Sequence, residues 1–291
     1  MGKLLCLVIV SFSFAAAVFC QADKYGKKPA KMTVDEIISK HLASIGTLEA
    51  LAATKSRVMV GNGQIKTKIG TSFVLNGTGQ IASQGERILY AMVFENPIYP
   101  YEKAAFNGAD VSVGLPRGKK TLLASYLTSQ SSILKEGLFT GALSTAWPLL
   151  DIKNKKAVKL EYGGTSKVED RECYKLKYSS SRTGDLKIAL YFDAETFRHV
   201  RTEYEYTIEG RIGTSPTDVQ SSSRTERYNL TEDFSDFSVV GKLTLPFTYK
   251  VNITTELQIV SSGGNNSRDW IFTIKNVYFD EPLDAAAFKV S

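Results

Sequence analysis

Cysteine is nearly missing from this chain, with three residues in 291. Cys6 and Cys20 fall in an apolar N-terminal run, and only Cys173 lies beyond it. A lone cysteine forms no internal disulfide, which excludes a small stapled secreted fold. A chain of this length buries enough core without staples. Histidine is scarcer: His41 and His199 stand alone, with no ligand spacing of His and Cys, so structural zinc motifs are excluded. No serine sits in a nucleophile-elbow pattern. Gly77-Thr78-Gly79-Gln80-Ile81-Ala82 imitates a dinucleotide fingerprint, but it lies between two predicted strands with no helix after it, so the phosphate-binding context is absent. Glu161, Glu169, Asp170 and Glu172, like Glu203, Glu205 and Glu209, read as the wet faces of strands. A glycosidase-like carboxylate pair is an alternative that depends on geometry. His41 lies on the apolar face of a predicted helix and reads as a packed histidine with no partner nearby. The chain therefore reads as a non-enzyme with no cofactor and no metal.

Concentrated charge is also missing. The formal net charge is +6, and the doublets Lys27-Lys28, Lys119-Lys120 and Lys155-Lys156 are scattered. Nothing in that pattern argues for nucleic acid. Long apolar runs are confined to residues 4–19, behind Lys3 and before the small-residue stretch Cys20-Gln21-Ala22. That order predicts a secretory signal peptide over residues 1–22 and an exported protein, periplasmic first and secreted as the alternative. Removing it takes away one charge, Lys3, and leaves +5. An uncleaved N-terminal membrane anchor and lipidation at Cys20 are the other readings; against lipidation, Phe19 stands where a bacterial lipoprotein signal has a small residue.

What the chain does have is a two-residue rhythm. Leu243, Leu245, Phe247, Tyr249, Val251 and Ile253 alternate with Lys242, Thr244, Pro246, Thr248, Lys250 and Asn252. Side chains alternate across a strand, so one face is apolar and the other wet. Tyr174, Leu176 and Tyr178 repeat the pattern, as do Val200, Tyr204 and Tyr206. After a polar leader over 23–32, Thr33 and Glu36 stand at capping-box spacing before Val34, Ile37, Ile38, Leu42 and Ile45, which predicts a helix ending at Gly46. A short helix is expected over 48–53. Strands follow over 57–115, with hairpin breaks expected at Gly61-Asn62-Gly63, Gly70, Asn76-Gly77, Gly85 and Asn107-Gly108. Residues 88–94 are apolar on both faces, which predicts cover on both sides. Leu122, Leu123, Tyr126, Leu127, Ile133 and Leu134 then recur at helical spacing, and Phe139, Leu143, Trp147 and Leu149 add to the apolar load, as an internal lid. Strands return over 156–290, with breaks expected at Gly163-Gly164 and over 179–184, 210–223 and 261–267. The end, Pro282-Leu283-Asp284 through Phe288, reads as a short turn or helix that docks. One domain is expected over 33–291, mainly β with a helical lid (α+β). It would be a curved antiparallel half-barrel whose apolar concave face is covered by an N-terminal helix and inserted central helices.

This order resembles the LolA/LolB-like fold of bacterial outer-membrane lipoprotein-sorting proteins and their periplasmic relatives. Shared phrases are Gly46-Thr47-Leu48-Glu49-Ala50, Leu190-Tyr191-Phe192-Asp193 with Thr196-Phe197-Arg198, Gly241-Lys242-Leu243-Thr244-Leu245-Pro246, and the closing Pro282-Leu283-Asp284 with Phe288. The resemblance implies a half-open barrel closed by helices around a hydrophobic cavity. It also implies a lipid or lipoprotein acyl chain as partner, with a membrane or membrane protein as donor or acceptor. A buried arginine would lock the lid, and Arg57 and Arg87 are the candidates by strand position. The expected ligand-binding residues are Tyr90, Met92 and Phe94 on the doubly apolar strand and Leu123, Tyr126, Leu127 and Trp147 on the lid. Each of these equally suits a filled core. The alternative function is a protein-interaction or sensor module on the same fold, without lipid transport. A membrane β-barrel is disfavoured, because the outward faces carry lysine and glutamate.

Overall fold

Threonine caps start the chain's first two helices. The Thr33 hydroxyl accepts the Glu36 N–H at 3.3 Å while the Glu36 carboxylate accepts the Thr33 N–H at 2.8 Å, completing the capping box of α1, Val34–Ile45. Thr47 caps α2, Leu48–Ala53. The computed structural model describes residues 30–67, 72–208, 226–257 and 266–290. The predicted signal peptide, Gly70, the expected break over 210–223 and most of that over 261–267 lie outside the described residues.

Among the described residues twelve strands form one antiparallel sheet. In chain order they are β1 Ser56–Thr67, β2 Phe73–Gln84, β3 Arg87–Phe94, β4 Tyr101–Phe106 and β5 Val111–Val113, then β6 Val158–Val168, β7 Arg171–Ser180, β8 Lys187–Asp193, β9 His199–Ile208, β10 Glu226–Val240, β11 Leu243–Leu257 and β12 Asn266–Phe279. Their order across the sheet is β5-β4-β3-β2-β1-β12-β11-β10-β9-β8-β7-β6. Two meanders thus meet at the β1–β12 pair, and β5 and β6 are the two edges. The sheet is curved but not closed by strand pairing. The chain between the edges, residues 114–157, is the lid, so it starts at one edge of the sheet and ends at the other.

The rhythm of β11 is realised except around Pro246, which is buried, and Phe247, which is half-buried. Leu243, Leu245, Tyr249, Val251 and Ile253 are buried in one cluster with Trp270, Phe272 and the lid side chains. Three glycine pairs behave differently from expectation. Gly61-Asn62-Gly63 and Asn76-Gly77 lie inside β1 and β2, and Gly163-Gly164 lies inside β6. None of them is a hairpin turn, and the dinucleotide-like phrase is the middle of β2 rather than a link between strands. At Gly61 the β1–β12 register slips, and a Cβ there would stand 2.1 Å from the Thr273 carbonyl oxygen. Gly163 and Gly164 fall at the β6–β7 register shift. These glycines bend strands, as bulges do. The expected breaks at Gly85 and Asn107-Gly108 are turns, and that expected over 179–184 falls at 181–185, because Ser179 and Ser180 end β7.

Cover on both faces of β3 holds for only part of the strand. Tyr90, Met92 and Phe94 face the core, and Ile88 is fully buried. On the outer side Leu89 packs with Val58, Ala82 and Phe288 of the terminal 3-10 turn, Ala285–Phe288, whereas Val93 is 48% exposed. Among the described residues no helix is long and apolar enough to cross a membrane.

The docked turn contributes to stability through Phe288, which is fully buried with the Arg87 guanidinium 5.1 Å from its ring centre. Phe288→Ala is expected to lower the unfolding free energy by about 3 kcal/mol in urea titration. A change near zero would mean that the tail does not dock.

Candidate binding site beneath the lid

The lid is built from short pieces. Thr121 caps α3, Leu122–Ser129, by accepting the Ala124 N–H at 3.0 Å. A single turn, α4 Ser132–Lys135, follows, then 3-10 segments at Gly141–Leu143 and Pro148–Asn154. Frequent breaks let the lid follow the curved sheet and drop a large side chain into it at each turn. Leu123, Leu127, Phe139, Leu143, Trp147 and Leu149 are at most 1% exposed.

All seven predicted site residues enter the same buried cluster. Tyr90 meets Phe139 edge-on, ring centres 5.3 Å apart. Tyr126 donates its hydroxyl to the Tyr204 carbonyl at 3.4 Å. Trp147 is stacked on His199 at 4.7 Å and joins Tyr90 through the rings of Phe234 and Tyr249. Tyr90, Met92, Leu123 and Leu127 have no accessible surface, so in this closed state the interior around them is a filled core. A groove of about 700 Å³ opens instead between α1, α2 and the 148–154 turn, and none of the seven lines it.

Hydrogen bonds fasten the lid at a few points. Glu102 of β4 accepts from the Thr121 hydroxyl at 2.7 Å and from the Tyr99 hydroxyl. Glu136 of the lid accepts from Tyr178 of β7 at 2.8 Å. Glu232 of β10 accepts the Thr140 N–H at 2.7 Å and the Tyr204 and Tyr249 hydroxyls at 2.6 and 2.5 Å. Ser83 accepts the Thr145 N–H at 3.0 Å. Arg57 of β1, 1% exposed, donates Nη1 to the Ala142 carbonyl at 2.7 Å. Arg57 is therefore the arginine on the lid, whereas Arg87 reaches Gln84 and the Phe288 ring.

His41 does have partners. Its Nε2 accepts the Trp147 Nε1–H at 3.1 Å, which places the ring proton on Nδ1 for donation to the Phe197 carbonyl at 3.1 Å. The indole and the carbonyl are supplied by residues 106 and 156 positions away, beyond any local sequence signal.

Burial sets the charge states. It pushes the Glu102 and Glu232 carboxyls up to about 7, against the hydrogen bonds that favour their ionised forms. It lowers His41 to about 4 and His199 well below the usual histidine value, the latter further through His41. Burial also brings Arg57 down to about 10, opposed by Asp280. The sequence reading missed Glu102, Glu136 and Glu232. The period-two signal for Glu232 was present: Leu230 and Phe234 flank it at two-residue spacing on one face, and both are buried.

No protein-family model matches the chain, and no curated protein matches it. Among solved structures it is similar to a LolA superfamily protein from Nitrosomonas europaea, at 15% identity and TM-score 0.46, over 89% of this chain and 99% of that one. A putative outer-membrane lipoprotein-sorting protein domain from Vibrio parahaemolyticus is 10% identical, with TM-score 0.43, over 87% of this chain and 94% of that one. A DUF1329 family protein from Desulfovibrio piger is 11% identical, with TM-score 0.43, over 90% of this chain and 98% of that one. The first two bear names of the kind to which the sequence has its resemblance. The open half-barrel with helices on its concave face stands on the strand order itself.

The buried acids and histidines oppose one another in pH. Glu102 and Glu232 bind a proton more tightly folded than unfolded, so their contribution is full below about 4.5 and lost as pH rises to about 7. His41 and His199 bind it less tightly folded, so they add stability as pH rises toward the unfolded value of 6.5, from about 4 in the case of His41. The two pairs nearly cancel between about 5 and 6, giving an almost flat stability profile there. Glu232→Gln removes one falling contribution and is expected to make stability rise with pH by about 1 kcal/mol per unit across that window. Unchanged profiles in denaturant titrations would refute the assignment.

Proposed function

We propose that this chain is an exported carrier that holds an alkyl chain, of a lipid or of a lipoprotein, between the concave sheet and the lid. The observation that carries the reading is the lid's connection from one unpaired edge of the sheet to the other, with its apolar side chains turned inward. A segment held by its two ends and by a handful of hydrogen bonds can lift as a unit while the sheet persists. Lifting exposes apolar surface on both layers, and an alkyl guest covers it again. Each buried methylene contributes ~0.8 kcal/mol, so a long chain offsets the lost lid contacts without any catalytic group. Tyr90, Met92, Phe94, Leu123, Tyr126, Leu127 and Trp147 are the surfaces such a chain would meet. Arg57 is the latch, since its bond to Ala142 crosses from sheet to lid.

A second reading, a protein-interaction module, is favoured by the groove lined by Ile38, Leu42, Leu149 and Ile152, beside Leu48 at 70% exposure. It needs no lid movement.

A fluorescent twelve-carbon acyl ester added to the purified chain distinguishes the two. The carrier reading predicts saturable uptake of about one probe per chain, with Arg57→Met taking it up severalfold faster because the latch is gone. No uptake by either form would sink the carrier reading and leave the interaction module.

A further inference from the structure

Five buried side-chain nitrogens or oxygens have no hydrogen-bond partner among the described residues: Arg57 Nε, Tyr90 Oη, Thr140 Oγ1, His199 Nδ1 and Arg268 Nε. Three of the five, on Arg57, Thr140 and His199, gather around residues 139–142 of the lid, and the ring that bears the Tyr90 hydroxyl packs against the same segment. Thr140 belongs to that segment and gives its N–H to Glu232. Arg57 holds the Ala142 carbonyl. The Tyr90 ring lies against Phe139. A Cβ on Gly141 would stand 3.0 Å from His199 Nδ1. Arg57, Tyr90 and His199 come from β1, β3 and β9, so three separated strands converge on one short piece of lid. That piece is also strained: Thr140 has φ 69°, an uncommon backbone for a β-branched residue, and Gly141 has φ 49°.

Buried polar groups normally have partners, and leaving them unmade costs stability. A concentration of unpaired groups and strain at one spot, beside buried polar groups such as Glu232 that do have partners, is the mark of a site shaped for another occupant. Resting on the carrier reading above, we propose that this ring receives the neutral hydrogen-bonding head of the bound amphiphile, an ester or amide that also bears a hydroxyl. Residues 139–142 fill its place when the lid is shut.

The chemistry of the four groups selects such a head. The Tyr90 and Thr140 hydroxyls can donate or accept, and His199 Nδ1 can do either, because its Nε2 is paired with the Thr202 hydroxyl. Arg57 Nε–H only donates, which suits a carbonyl oxygen. The charges facing the ring are the Glu232 carboxylate and the Arg57 guanidinium. Asp280 acts on Arg57, Glu102 acts on Tyr90, and the uncharged His41 lies 6.1 Å from His199. A free carboxylate paired with Arg57 would still stand beside the negative Glu232, and an ammonium paired with Glu232 would still stand beside the positive Arg57; each meets a like charge in a dry interior, and a neutral head does not.

The test is competition against a fluorescent acyl ester at about pH 8, where a carboxylic head is ionised. The competitors are 1-monolauroylglycerol and laurate, which share one alkyl length. The unmodified chain is expected to bind the monoglyceride about tenfold or more tighter than laurate. Tyr90→Phe removes only an unpaired hydroxyl, so the thermal midpoint should hold or rise while the preference falls severalfold. Equal or tighter binding of laurate, or a preference untouched by Tyr90→Phe, would overturn the head-group site and leave the carrier reading standing. If neither competitor nor probe binds, the carrier reading fails and this site fails with it.

Discussion

An antiparallel sheet with one apolar face and two unpaired edges is unstable until that face is covered, and this constraint shapes the rest of the molecule. Hydrogen bonding along twelve strands ends at β5 and β6, which find no partner in each other. The chain covers the concave face with the segment that joins those two edges. It presses leucines, Phe139 and Trp147 into the opening, and α1 closes the same layer with Ile37, Ile38 and Ile45. Strand pairing is extensive and cooperative, whereas the lid is a series of short turns. The free energy of covering the face therefore resides in apolar contact, which another apolar molecule could supply equally well.

Polar groups then decide how the cover sits. A buried carboxylate in an apolar interior is expensive unless it is well hydrogen-bonded, and Glu102, Glu136 and Glu232 each have partners that reach across to the lid. Arg57 does the same from the other sign of charge. Such fasteners give register rather than great strength, since replacing buried ionic groups by apolar ones is often neutral. They hold one closed arrangement, and releasing them leaves buried polar groups unpaired unless the guest supplies partners of its own.

Much of the frame was legible because it is written locally. The Thr33–Glu36 box, the Gly46 stop, the alternation in β11 and the docking phrase at Phe288 each depend on residues close in sequence, and each stands in the structure. The glycine pairs misled because glycine serves bulges and turns alike. Only the register of the neighbouring strand tells Gly61 in β1 from Gly85 in a hairpin. The candidate aromatic and aliphatic residues were placed in the right layer by periodicity. Of their fasteners only Arg57 was named, through the resemblance and with Arg87 beside it; its partner Ala142, and the bond from Trp147 to His41, come from long-range folding that no local pattern records. Glu232 was within reach: a carboxylate in phase with Leu230 and Phe234 has to face inward.

The central claim is that the lid opens apart from the sheet. Hydrogen exchange resolved by residue, with and without a lauroyl ester, measures it directly. The account predicts that backbone amides of residues 119–154 exchange together and well before those of β1, β11 and β12, and that the ester alters protection within the lid while leaving those strands unchanged. Lid amides that exchange only with the central strands, in one global event insensitive to the ester, would contradict it.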